Sequence, residues 1–96
     1  MSPSPPDAPI QLERYAELSA EAEQAPPLAK LLARESIDEA TWAAAQAYWL
    51  ARMSDEARRQ RFSTTSRYQA SFERRRRALE GERRARLAAK GAAQLA

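Results

Sequence analysis

Apolar residues in the first part of the chain recur at intervals of three and four, the repeat of an amphipathic α-helix. One such series predicts a first helix with a single apolar face, formed by Leu12, Tyr15, Leu18 and Ala22. We expect this helix to begin near Ile10, with Asp7 as its N-cap and Pro9 in its first turn. Because Pro26 and Pro27 cannot donate a backbone hydrogen bond, the helix ends before them.

A short apolar stripe follows the proline pair. Leu28, Leu31 and Leu32 share one side of a helix and predict a second element that reaches to about Glu35. So short a helix is marginal by itself, so we expect it to pack as a brace against its neighbours.

The third helix has two possible starts. Asp38 as N-cap makes Ile37 and Trp42 a hydrophobic staple, whereas Ser36 as N-cap lets Glu39 complete a capping box. In both cases one face of the helix carries the residues expected at the centre of the core: Trp42, Ala45, Trp49 and Met53.

A further N-cap pattern at Ser54, Asp55 and Glu56 indicates that the chain either turns there or runs on as a single helix; we favour the turn, with a new helix from Ala57. The apolar residues on the face of that helix become fewer towards its end. The positions on this face are Phe62, Thr65, Tyr68 or Gln69, Phe72, Arg76 and Leu79. Alternating β-branched residues typical of strands are absent from the sequence. The predicted fold class is therefore all-α, a small three- to four-helix bundle or helical hairpin with a projecting Arg-rich C-terminal helix.

Composition divides the chain into three parts. Residues 1–9 are rich in proline and predict a disordered leader, and residues 10–80 form the helical domain. Residues 81–96 form a basic tail of Ala and Arg, interrupted by Gly81 and Gly91, which is either helical or frayed.

Charge is distributed unevenly along the chain. Residues 1–57 contain 10 acidic and 4 basic side chains, whereas the remainder contains 3 acidic and 12 basic ones. Seven arginines lie in residues 74–86, and the four consecutive ones at 74–77 cover about 400° of a helix. A helix that is basic all round cannot be buried against an apolar neighbour, so it lies in water, on an acidic protein surface or on phosphate.

An acidic protein partner is favoured over nucleic acid for this segment. Tyr68 and Phe72 have the spacing of core residues and do not alternate with the arginines as stacking platforms would. The chain itself offers one acidic surface, the ridge Glu13, Glu17 and Glu21, for contact within the monomer or across a homo-oligomer. Nucleic-acid binding through residues 74–86 stays as the alternative.

The two tryptophans lie seven residues apart on one helix face, which favours a place in the core. If the domain has only two or three helices, part of that face stays exposed and becomes an anchor for a partner. The predicted partner-binding residues combine this aromatic face with the arginines: Trp42, Trp49, Met53, Phe62, Tyr68, Phe72, Arg74, Arg75, Arg76, Arg77, Arg83 and Arg84.

Residue types that support catalysis are scarce. The chain has no Cys, no His and two Gly, which argues against a metal site, a cofactor-binding loop or a neutral-pH proton shuttle. It has neither a long apolar run nor a signal peptide, and Ala and Arg are abundant. We therefore expect a cytoplasmic bacterial protein without enzymatic activity or cofactors, acting as an adaptor, cargo-binding or regulatory module.

Overall fold

The computed structural model describes residues 8–24 and 27–95. These residues form four helices: α1 (Leu12–Gln24), α2 (Leu28–Arg34), α3 (Glu39–Arg58) and α4 (Ser63–Leu95). No strand occurs in that part of the chain, and the predicted all-α class is confirmed. The expected N-cap Asp7 and most of the predicted leader lie outside the described residues.

Helix α1 begins two residues later than predicted. Pro9 and Ile10 form a bend before the helix, and the first backbone bond runs from the Tyr15 N–H to the Gln11 carbonyl, at 2.9 Å. The Ile10 carbonyl instead accepts a hydrogen bond of 2.8 Å from Nε1 of Trp49. The predicted apolar face is confirmed, because Leu12, Tyr15 and Leu18 are buried.

Helices α2 and α3 follow the apolar patterns. Leu31 and Leu32 are buried on α2, and Trp42, Ala45 and Trp49 are buried on α3. Of the two possible starts of α3, Asp38 is the N-cap, since its carboxylate accepts a 2.7 Å hydrogen bond from the Thr41 N–H. Ser36 lies before the cap with a φ of 58°.

The prediction of a turn at Ser54 is wrong, because α3 continues to Arg58 and α4 begins at Ser63. The acids that suggested an N-cap serve other contacts: Asp55 pairs with Arg58 and Arg59 inside the last turns of α3. The turn lies at Gln60, whose φ is 58°. Backbone bonds from Gln60 to the Ala57 carbonyl and from Arg61 to the Glu56 carbonyl close α3 in a Schellman motif.

Helices α1 and α4 run side by side in the same direction. Glu13 contacts Arg67, and eight residues further along each helix Glu21 contacts Arg75. Tyr15 and Tyr68 also meet across this seam, with ring centroids 5.7 Å apart. Two small side chains of α1, Ala16 and Ala20, are also fully buried, and small residues permit close approach of neighbouring helices.

The fully buried positions that the structure describes on α4 are polar, whereas the predicted stripe is only half-buried at Tyr68 and Phe72. These buried residues are Thr64 and Ser71, while Phe62 precedes the helix and is 54 % exposed. The core therefore sits among α1, α2 and α3, where the ring centroids of Tyr15 and Trp42 are 5.1 Å apart. Tyr68 is the residue of α4 that packs against it.

Candidate functional site

Three of the predicted partner-binding residues belong to the core. Trp49 is 1 % exposed, Trp42 is buried and Met53 packs against the same cluster. The indole N–H of Trp49 is already used in its bond to Ile10. In this fold Trp42 and Trp49 are part of the core, and Met53 is half-buried against it.

An open cleft lies beside two other predicted residues, Tyr68 and Phe72. Their rings are stacked, with centroids 5.9 Å apart and an interplanar angle of 28°. Together with Gln69, Glu73 and Glu23 they line a hollow of about 440 Å³, which we call the aromatic cleft. The lining thus combines two aromatic rings with two carboxylates.

The four consecutive arginines have different surroundings. Arg75 and Arg76 are engaged within the molecule: Arg75 lies 3.4 Å from Glu21, and Arg76 contacts Glu73 at 2.7 Å and Glu80 at 2.6 Å. The hydrogen bonds from Arg76 hold the pKa of Glu73 below its ordinary value, against the opposing effect of desolvation. Arg74 and Arg77 are exposed.

The acidic ridge of α1 contacts arginines of its own chain. Arg67 donates to Glu13 at 2.6 Å. Burial raises the pKa of Glu13, but the hydrogen bonds and charge of Arg67 outweigh it, so the net shift is downward. Glu21 accepts from Arg34 at 2.7 Å in addition to its contact with Arg75. One carboxylate thus holds guanidinium groups from both α2 and α4.

The chain of charges continues from Glu21 towards α2. Arg34 also contacts Glu35 at 2.8 Å, and Glu35 in turn accepts from Arg14 of α1. The hydrogen bonds from Arg34 and then Arg14 lower the pKa of Glu35. These ion pairs bind α1, α2 and α4 together at the surface, where each contributes modestly to stability.

The end of α4 is the most exposed basic surface that the structure describes. Residues 81–90, which we call the C-terminal segment, are all exposed and contain one acidic and four basic side chains. Arg84 comes no closer than 3.9 Å to Glu80, and within the described part of the chain Arg83 and Arg86 have no ion pair. Leu87 is 59 % exposed and borders a second hollow of about 300 Å³ with Glu80, Arg83 and Arg84.

Several of these residues were missed by sequence reasoning. Gln69, Glu73 and Glu23 line the aromatic cleft, and Leu87 is an exposed apolar residue between arginines. A helical wheel does relate two of them, because Gln69 and Leu87 are 18 residues apart, or five full turns. Glu23 gave no such signal, since it comes from a different helix.

The described residues contain no group of three or more potential metal ligands. None of the helices formed by those residues is both long enough and apolar enough to cross a membrane. Two acids near helix ends have structural contacts: Asp38 caps α3, and Glu56 accepts from the backbone N–H and the hydroxyl of Thr64 at 3.2 and 2.6 Å. Comparison with protein-family models, curated proteins and solved structures finds no match to the chain.

Proposed function

We propose that this protein is a non-enzymatic helical module for protein–protein interaction, an adaptor, cargo-binding or regulatory protein. In this proposal α1 to α3 and the first half of α4 form a small bundle, and the C-terminal segment projects from it as a basic arm. The observation that carries the proposal is the exposure of all ten residues of the C-terminal segment.

The charges of the segment support an acidic partner. Arg83 and Arg86 have no acidic neighbour within ion-pair distance among the described residues, so a partner carboxylate would not have to displace an existing pair. A guanidinium binds a carboxylate through two parallel hydrogen bonds, which favours arginine at such contacts. Leu87 adds an exposed apolar side chain, which can pack against apolar side chains of a protein but not against charged phosphates.

Nucleic acid is the alternative partner for the same arginines. Single strands are commonly held by aromatic side chains that stack on bases, and the C-terminal segment contains no aromatic residue. The nearest rings, Tyr68 and Phe72, stack on each other beside the body of the protein. A single strand would therefore have to be bound without stacking, and phosphate contacts to a duplex would depend steeply on salt.

Site-specific cross-linking tests the proposal. A photoreactive amino acid is placed at Arg86 of the full chain, or at the exposed Ala43 of α3 as the matched control, in cells that produce the protein naturally. We expect a protein adduct from position 86 and not from position 43. The adduct should disappear when Arg83→Gln and Arg84→Gln are introduced together, because these changes remove two basic groups without adding bulk.

The opposite result identifies the alternative. The proposal is wrong if position 86 gives no protein adduct, or gives one that persists after both arginines are neutralised. Binding of a labelled DNA duplex, followed by fluorescence anisotropy, completes the comparison. An affinity for duplex that falls steeply between about 50 and 200 mM salt, in the absence of any protein adduct, indicates nucleic-acid binding.

A further inference from the structure

Two hollows of opposite charge lie on the same side of α4. The lining of the aromatic cleft includes Glu73 and Glu23, whereas the second hollow is lined by Arg83, Arg84, Leu87 and Glu80. Successive residues of an α-helix are rotated by about 100° around its axis. Gln69 of the cleft and Leu87 therefore lie on one line along α4, and Glu80 lies within about 20° of that line. One continuous helix thus presents an acidic aromatic site and a basic apolar site in the same direction.

The C-terminal segment cannot reach the aromatic cleft of its own molecule. Phe72 and Leu87 are fifteen residues apart on the same helix, which corresponds to about 22 Å along its axis. As long as α4 is continuous, only the segment of another molecule can enter the cleft.

We propose that a second copy of this chain places its C-terminal segment in the aromatic cleft, and receives the first copy's segment in its own cleft. The two α4 helices then lie antiparallel around a two-fold axis, an isologous arrangement in which both contacts form at once. Leu87 of each copy covers the rings of Tyr68 and Phe72 in the other. This inference rests on the proposed function, and it names a second copy as a partner of the basic arm.

One register satisfies the charges on both sides of the axis. Glu73 and Glu80 are seven residues apart, as are Arg77 and Arg84. An antiparallel alignment that sets Glu73 opposite Arg84 of the second copy therefore also sets Glu80 opposite its Arg77. The symmetry repeats both pairs, so four ion pairs flank the contact.

Existing contacts do not prevent these pairs. Glu73 and Glu80 already bind Arg76, but a carboxylate accepts hydrogen bonds from more than one guanidinium group. Glu21 does so here, with Arg34 and Arg75. The four ion pairs between the copies select the partner and the register more than they raise the affinity. The affinity comes mainly from covering Leu87 and the aromatic rings.

Sedimentation equilibrium of the full chain over a concentration series tests the dimer. We expect a reversible transition between 10.8 kDa and twice that mass. Leu87→Glu should raise the dissociation constant at least about tenfold, because it places a carboxylate against Glu73. Ala85→Glu is the matched control: Ala85 is exposed on the same segment, about 200° around the helix from Leu87, and the charge change is identical.

Charge reversal tests the register. Glu73→Arg and Arg84→Glu should each weaken the dimer, since each sets like charges opposite one another, and the double variant should restore it. Circular dichroism verifies that every variant remains folded. A monomer at all concentrations, equal effects of Leu87→Glu and Ala85→Glu, or no recovery in the double variant would each overturn the proposed dimer.

The cross-linking experiment separates this inference from the proposed function. If the purified chain is monomeric but Arg86 still gives a charge-dependent adduct with another protein, the interaction module remains and the dimer is wrong. If no protein adduct of any kind forms, the proposed function fails together with the dimer.

Discussion

Trp49 connects the start of the chain to α3, and its replacement gives a sharp test of the core. Its side chain is 1 % exposed and its Nε1 donates to the Ile10 carbonyl at 2.8 Å. Trp49→Phe keeps an aromatic ring but removes this donor. A buried acceptor left without a partner costs about 1–3 kcal/mol, and the void beside the smaller ring adds about 1 kcal/mol. We therefore expect a loss of about 2–4 kcal/mol.

Such a loss is large for a domain of this size, whose total stability is on the order of 5–15 kcal/mol. Urea unfolding followed by helical circular dichroism measures it, and Tm should fall by roughly 10 °C or more. The neighbouring Leu50 is the control, because it is 52 % exposed on the same helix.

Leu50→Ala should change the free energy of unfolding by less than about 0.5 kcal/mol. If Trp49→Phe is as mild as this control, or Leu50→Ala is as damaging as Trp49→Phe, the assignment of Trp49 to the core is refuted.

Three further predictions concern helix ends and interiors. The carboxylate of Glu56 accepts from the N–H and the hydroxyl of Thr64 in the first turn of α4, and so caps that helix. The hydrogen bond from the Thr64 hydroxyl is the main cause that holds the pKa of Glu56 below its ordinary value of 4.5. The stabilisation by this cap is therefore present above pH 4.5 and is lost as pH falls through the lowered pKa. Glu56→Gln should cost about 1 kcal/mol at neutral pH and flatten the acid limb of a stability–pH curve; an unchanged limb would contradict the capping role. Gly81 lies inside α4 with open space around it. Gly81→Ala should therefore stabilise the local helix by about 0.5–1 kcal/mol and raise the helical ellipticity; a decrease in ellipticity would argue against a continuous α4. Gln60 has a φ of 58°, so Gln60→Gly should raise the free energy of unfolding by about 1 kcal/mol and Gln60→Val should lower it by about as much, with Tm moving in the same direction; the reverse order would exclude this turn.

Much of the fold could be predicted because the relevant signals are local. The faces of α1, α2 and α3 appear as apolar residues at helical spacing, and the N-cap Asp38 lies beside the staple residues that mark it. The boundary between α3 and α4 could not be found in this way. Its turn has Gln60 at the left-handed position, where glycine is the usual residue. In addition, Asp55 and Glu56 follow Ser54 in the pattern that is typical of a helix start.

The candidate site was predictable in composition and not in arrangement. Consecutive arginines at 74–77 look equivalent in the sequence, yet Arg75 and Arg76 are engaged by carboxylates while Arg74 and Arg77 are exposed. The partners of Arg76 lie three and four residues away on α4 itself, whereas the pairing of Arg75 with Glu21 depends on where α1 passes along α4. The covered face of α4 was misassigned for the same reason, since Thr64 and Ser71 are polar and give no periodic apolar signal.

The sequence by itself determined the helical class, three of the four helices and the separation of acidic from basic residues. Periodicity, capping and charge are properties of neighbouring positions, which a chain carries whether or not it is folded. Only the tertiary structure decided that α1 and α4 run parallel and that Glu13 and Glu21 of the acidic ridge pair with arginines of their own chain. These outcomes depend on contacts such as Glu13 with Arg67, 54 residues apart, whose pairing no local pattern specifies.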